Sequence, residues 1–390
     1  MNDLEAIWRA GVEACLPHRV VPAHLPEPPR GRTIVLAFGK AAVPMARAVE
    51  AHWSGALAGL AVTRYGSAGP LDRIEVLEAA HPVPDEAGVA AAERLLALAA
   101  SAGPDDLVLV LLSGGASALA CLPGGGLSLA EKQHVTAALL RSGAPIGEIN
   151  CVRRHLSRFK GGRLAAVAEP ARLVTLAISD VLGDDPAAIG SGPTVADLTA
   201  VADAREILRR HAIPDPRRGW SETAKAVAGD FRIIASGADA VEAAAAEAER
   251  LGYHPLTLHC AGEARDVARE HARLALHAPP GTALISGGEL TVTVRGTGCG
   301  GPNHEYAIAA ALALRGTPLR GLAADTDGID GISHAAGAFF DGATADDPAA
   351  AEAALSANDT APFLAARHAL FVTGPTGTNV NDLRILLTPP

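Results

Sequence analysis

Along the chain, short runs of branched and aliphatic residues alternate with alanine-rich stretches whose apolar and polar positions recur at helical spacing. Thr33–Phe38, Leu107–Leu112 and Leu173–Ile178 are apolar almost throughout, as strands covered on both faces must be. Arg232–Ala235, Ala283–Ile285 and Gly321–Ala324 repeat the pattern further on, and Leu290–Arg295 alternates polar and apolar like a half-exposed strand before a helical stretch from Asn303 to Leu314. This βαβα alternation predicts a mostly parallel sheet with helices on both faces. Between Thr199 and Phe231 the pattern turns charged and is broken by Pro214 and Pro216, so a domain boundary is expected there.

The strand ends carry the polar signal. Three strands run into Gly39-Lys40, Ser113-Gly114-Gly115 and Ser179-Asp180; three more run into Ser236-Gly237, Ser286-Gly287-Gly288-Glu289 and Asp325-Thr326-Asp327-Gly328. Open α/β sheets hold ligands outside the carboxyl ends of their strands, so function is expected in these loops.

Composition narrows the classes. With 49% hydrophobic residues but only 3% aromatic, the core is built from Ala, Val, Leu and Ile. A formal charge of −10 sets the chain against nucleic acid and anionic membranes, so neither is an expected partner, and any phosphate must be gripped locally. The first residues show no signal or membrane-spanning run, which leads to a cytoplasmic expectation. Five cysteines, none close enough to another for a zinc or redox pair, read as small hydrophobes. Only Lys40, Lys132, Lys160 and Lys225 among the 33 basic residues are lysine, so Lys40 after Gly39 and Lys160 before Gly161-Gly162 invite a reading as chosen ammonium groups.

The loops offer specific chemistry. Ser113-Gly114-Gly115-Ala116-Ser117 after a buried strand suits an oxyanion, although the spacing of a Walker A loop is absent. Asp180, with Asp184 and Asp185 beyond Gly183, and Asp325 with Asp327 and Asp330, are acidic loops suited to a hard ion such as Mg²⁺; the second fails the EF-hand pattern. Gly296-Thr297-Gly298-Cys299-Gly300-Gly301 contains Gly-x-Gly-x-x-Gly, but the alternating strand before it is not the continuous apolar run of a dinucleotide fold. His81, His155 and His304 read as hydrogen-bonding histidines.

Taken together the strings resemble the class II glycerate 2-kinases, the DUF4147 family with a carboxyl-terminal MOFRL domain. The likeness runs through Phe38–Ala42, His81–Asp85, Ser113–Leu119, Val152–Ser157, Lys160–Leu164, Ser179–Val181 and Ser191–Thr194, then Gly287–Glu289, Asp325–Gly331 and the tail Gly374–Leu383. It implies two α/β domains: a Rossmann-like three-layer parallel-sheet domain over 1–229 and a mixed-sheet MOFRL-type domain over 230–390. It also implies ATP- and Mg²⁺-dependent phosphorylation of D-glycerate to 2-phosphoglycerate. Carried onto this chain, Lys40, Asp180 and Asp325 are the expected catalytic residues. Asp180, Asp325 and Asp327 are the expected metal ligands. Ser113, Gly114, Gly115, Ser117, Arg153, Lys160, Ser191, Gly192, Glu289, Asn303 and Glu305 are expected to bind substrate or nucleotide. The partner is then a small hydroxy acid, and a homodimer is left open. Many members carry glutamine where this chain has His304 and arginine where it has Pro302, and the resemblance gives that arginine a part in the anion clamp. Such proteins are also named hydroxypyruvate reductases, so an NAD(P)H-dependent reductase is the alternative, with a catalytically silent nucleotide-binding module behind it.

Overall fold

The computed structural model describes residues 3–389. Two units emerge, one from Pro17 to Ile234 and one combining the residues through Leu16 with those from Ala235 onward.

The first unit runs α2 (Pro17–Val20), β1 (Thr33–Phe38), α3 (Ala42–His52), β2 (Leu57–Arg64), β3 (Ile74–Ala79), α4 (Glu86–Ala100), β4 (Leu107–Leu112), α5 (Ala116–Leu119), α6 (Leu129–Arg141), α7 (Ile146–His155), α8 (Arg163–Ala168), β5 (Arg172–Ile178), α9 (Val201–Arg210) and β6 (Asp230–Ala235). Its six strands lie in the order β3-β2-β1-β4-β5-β6, and β3 through β5 pair in parallel. Every residue of β1 and β4 is buried, which is why Thr33 is the one polar residue in the two segments. Leu36, Phe38, Val110, Leu112, Phe159 and Leu164 share one core, with Phe38 and Phe159 edge to face at 5.4 Å.

The second unit contains α1 (Asp3–Ala14), α10 (Gly237–Arg250), β7 (His254–His259), β8 (Gly262–Glu263), α11 (Ala264–His277), β9 (Thr282–Gly288), β10 (Leu290–Thr291), α12 (Pro302–Ala313), β11 (Arg320–Asp325), β12 (Gly337–Asp341), α13 (Pro348–Ser356), α14 (Thr360–Ala365), β13 (Leu370–Phe371) and β14 (Asp382–Leu387). Its main sheet is mixed, ordered β13-β12-β11-β14-β9-β7, parallel only between β7 and β9 among its pairs. The two sheets are the expected α/β pair, one parallel and one mixed.

Three local expectations differ. The boundary expected at residue 229 falls at the end of β6 rather than its start, and α1 groups with the carboxyl-terminal unit because Leu4, Ile7, Trp8 and Val12 bury against Val241, Ile285 and Leu383. An amphipathic helix declares its apolar face but not which sheet it covers. Ser286-Gly287-Gly288 is no turn: β9 runs through it, and a Cβ on Gly288 would lie 2.2 Å from the Cys260 carbonyl. The strand expected over 290–295 stops at Thr291, and the amides of Arg295 and Gly296 donate instead to the Asn358 side chain at 2.7 and 2.9 Å. Among the described residues no helix is long and apolar enough to cross a membrane.

Candidate functional site

The parallel sheet reverses its winding between β1 and β4, the point where open α/β sheets leave a crevice at their carboxyl edge. The loops there are Gly39-Lys40 and Ser113-Gly114-Gly115, and they interlock. The Lys40 amide donates to the Gly114 carbonyl at 2.8 Å, and the Ala41 amide donates to the Ser113 hydroxyl at 3.0 Å. Gly39 has φ +135°, and a Cβ there would meet Ser113 Oγ at 2.2 Å, so only glycine permits this approach. A Cβ added to Gly115 would stand 3.0 Å from the His81 ring and 3.3 Å from Lys40 Cγ. The half-buried Lys40 is therefore fixed at the switch point beside Gly115.

A cavity of about 370 Å³ opens next to these loops in the same unit. Its buried residues are Ala118, Cys121, Lys132 and Lys160, with Arg153 half-buried beside them; Val83 and Leu140 stand exposed on its lining. Lys160 Nζ donates to the carbonyls of Ser117 (3.0 Å), Ala120 (3.4 Å) and Gly190 (3.5 Å). Lys132 Nζ donates to those of Leu156 (2.5 Å) and Arg153 (3.2 Å), at the end of α7. Burial pushes Lys160 down to about 7 and Lys132 down to about 8, and lowers Arg153 as well. The Gln133 amide donates to the Pro84 carbonyl at 2.6 Å and so ties the 81–84 loop to α6 across the cavity.

The other expected residues of this unit gather nearby to differing degrees. Ser117 lines the cavity, and its hydroxyl lies 2.8 Å from that of Ser191, which donates to Asn150 Oδ1 at 3.2 Å. Ser191 and Gly192 both sit at positive φ, and Ser191 is fully buried, so they shape the floor beneath Ser117. Ser113 faces the Gly39 turn and holds it. Asp180 stands half-buried just beyond β5, while Asp185 caps the following turn through the Ala187 amide at 2.9 Å. His155 is structural, its ring nitrogens 2.9 and 3.1 Å from the carbonyls of Cys151 and Thr199.

In the carboxyl-terminal unit, Asp325 ends β11 and accepts the Asp327 amide at 2.8 Å, while Asp327 accepts that of Ile329 at 2.9 Å. Asp330, third in the loop, accepts the amides of Asn303 (3.0 Å) and His304 (2.9 Å) at the start of α12, and its carboxylate pairs with the His304 ring. Asn303 and Glu305, expected at a ligand, serve the interior instead. The Asn303 amide group donates to Asp330 and Asp382 at 3.2 and 2.6 Å; Glu305 pairs with Arg265 at 2.6 Å and accepts Asn358 at 2.6 Å. Glu289 is exposed beyond β9, and Pro302 opens α12, where its missing N–H has no helical partner to lose. Among the described residues no three His, Cys, Asp or Glu side chains form a metal cluster. Mg²⁺ held by one or two carboxylates, with water and phosphate completing its shell, fits Asp325 and Asp327 on their shared loop.

Lys132, Gln133, Cys121 and Asn150 also belong to the site, without a role expected from the sequence. Lysine scarcity was the one signal that marked Lys132; the others carry none.

DUF4147, described as a domain of unknown function, matches residues 3–220, and the MOFRL family matches residues 282–382. A D-glycerate 2-kinase of Thermotoga maritima is 41% identical, with 97% of this chain and 96% of the relative covered. The crystal structure of the glycerate kinase of Thermotoga maritima superposes with a TM-score of 0.89 at 40% identity, covering 98% of each chain. The chain belongs to the class II glycerate 2-kinase family. A protein of Agrobacterium vitis that carries the name hydroxypyruvate reductase is 47% identical, over 98% of this chain and 93% of its own. Both names that circulate in the glycerate 2-kinase family thus occur among the relatives.

Proposed function

We propose that the protein is an ATP-dependent glycerate 2-kinase that phosphorylates D-glycerate to 2-phosphoglycerate with Mg²⁺. The observation that carries this reading is the switch point itself, where Lys40 stands beside a cavity lined by buried cations. Phosphoryl transfer needs positioning and charge neutralisation more than covalent help. Lys40 would place an ammonium on the transferring phosphoryl group. Lys160, Arg153 and the Ser117 loop would orient the acid, and Asp180 would steer its hydroxyl. Mg²⁺, when bound, neutralises the nucleotide phosphates; Asp325 and Asp327 are the carboxylates that suit it, and Glu289 is a candidate for the ribose.

Two features weigh against the reductase. The first βα turn, Gly39-Lys40-Ala41-Ala42-Val43, has a single glycine where a dinucleotide site needs three. The Gly296–Gly301 loop that does carry the spacing is packed on its own chain: added Cβ atoms on Gly296, Gly298 and Gly301 would lie 2.0 Å from the Ala357 carbonyl, 2.4 Å from Asp359 and 2.4 Å from Asp330. Those glycines serve packing, with no room for a pyrophosphate. Purified protein given D-glycerate and Mg·ATP, with the product identified by phosphorus NMR against both glycerate monophosphates, tests the reading. Oxidation of NAD(P)H by hydroxypyruvate without phosphoryl transfer would overturn it.

A further inference from the structure

Lys132, Arg153 and Lys160 line one cavity, and among the described residues none of the three is paired with a carboxylate. Three cations gathered without a counter-charge are costly to bury, and such an arrangement persists where an anion completes it. The proton count locates the gap. An ammonium has three donors; Lys160 directs its three at carbonyls, whereas Lys132 uses two, on Leu156 and Arg153. One Lys132 donor and the Arg153 guanidinium are left for a ligand.

The rest of the lining says which anion. No Asp or Glu faces the cavity, so a nucleotide triphosphate would arrive there without a protein ligand for its metal. Pro82, Val83, Pro84, Ala118, Ala137 and Leu140 make most of the remaining wall apolar, alongside the polar His81, Ser117, Gln133 and Thr136. Its 370 Å³ is roughly a dozen water volumes, enough for a short carbon chain with one charged end. We infer that Lys132 and Arg153, with Lys160 behind them, form a carboxylate anchor for small aliphatic acids, with Lys132 a substrate-positioning residue in its own right.

The simplest alternative is that Lys132 only closes the end of α7, and the test separates the two. Titration calorimetry on the full chain would use D-glycerate, butyrate, inorganic phosphate and metal-free ATP as separate probes. The two acids are expected to compete for one site, and neither phosphate nor ATP to displace them. Lys132→Met is expected to weaken both acids about 10- to 100-fold, as loss of a charged hydrogen bond does, while ATP affinity stays within about twofold. Lys132→Arg, which keeps the charge and carbonyl bonds, is expected to restore part of it. Thr136→Asp, one turn along α6 on the same lining, supplies the missing carboxylate within the chain and is expected to abolish acid binding while leaving the fold intact. Acid affinity unchanged in both Lys132→Met and Thr136→Asp overturns the inference, as does a loss confined to ATP or phosphate. If neither variant folds, competition in the unaltered protein decides, and butyrate displacing ATP instead of D-glycerate overturns it. The inference rests on the kinase reading only in its choice of D-glycerate as probe. Acids that bind as described without phosphoryl transfer would sink the kinase reading alone; turnover with a glycerate KM untouched by both variants would sink this one alone.

Discussion

The carboxyl-terminal unit and the cavity of the other unit bury charge in opposite ways, although that other unit also holds one completed buried pair, Arg154 with Asp197. In the carboxyl-terminal unit every buried ionic group described has an opposite or polar partner: Arg265 with Glu305, Arg384 with Asp382, His304 with Asp330. Around the cavity of the other unit, Lys132, Arg153 and Lys160 meet carbonyls and one another. Completed pairs mark scaffold, because each partner offsets part of the desolvation cost of the other and leaves no charge for a ligand. Uncompleted charge of one sign marks a place prepared for a ligand.

The difference is sharpest when a scaffold pair is broken. Glu305→Ala leaves Arg265 and the Asn358 amide without their buried partner and is expected to cost about 3–5 kcal/mol of stability. Chemical denaturation would measure it, and D-glycerate affinity in the folded fraction is expected to stay unchanged. A variant that loses affinity at full stability would move Glu305 back into the site.

Lys40→Ala should show the opposite signature. A donor aimed at transition-state charge is worth about 10²–10³ in turnover, or ~3–4 kcal/mol. The variant is expected to melt like the parent and lose at least that factor in kcat, with Lys40→Arg rescuing it only in part, because a planar guanidinium does not replace a compact ammonium. A near-parental kcat for Lys40→Ala would remove it from the mechanism.

The same contrast explains what the sequence disclosed. Strands such as Leu107–Leu112 are legible because burial on both faces permits no polar residue. Lys40 and Ser113 were legible as residues at strand ends, where a parallel sheet collects ligands. Asn303 and Glu305 misled because an acidic or amide residue beside a glycine-rich loop looks the same whether it faces a ligand or a half-buried arginine 40 positions away. Lys132 stayed hidden for the converse reason: it lies within a helix, and the carbonyls that receive its ammonium, those of Arg153 and Leu156 at the end of α7, meet it only in the folded chain.

Proton linkage provides a gentler probe. Lys160 and Lys132, ordinarily near 10.5, are held down at about 7 and about 8 by burial, so the unfolded chain binds more protons between those values and 10.5. Their cost to folding is full below about pH 7 and is relieved as pH rises through that window; stability from this source therefore increases with pH. Anion binding runs the other way. A carboxylate in the cavity holds the ammonium groups charged, so its affinity is expected to fall as pH rises through about 7 to 8, by at most about tenfold per pH unit for each proton coupled. Calorimetry in buffers of different ionisation heat should register proton uptake on binding in that range. Absence of uptake would mean that the lysines do not face the ligand.

The smallest expected effect belongs to Ser113, a residue of the site's loop with a scaffold contact. Its hydroxyl accepts the Ala41 amide at 3.0 Å and so holds the turn that presents Lys40, but it does not line the cavity. Ser113→Ala is expected to lower stability by about 1 kcal/mol, the net worth of one hydrogen bond, since the Ala41 amide loses a buried acceptor. Because the Lys40 amide keeps its own bond to Gly114, the loop should retain its course, and kcat should fall by a smaller factor than in Lys40→Ala. Affinity for D-glycerate is expected to remain within about twofold of the parent. If Ser113→Ala instead raised the glycerate KM strongly with stability unaltered, the hydroxyl would have to reach the acid directly, and the division between a cation-lined cavity and a stapled loop would need to be redrawn around Ser113.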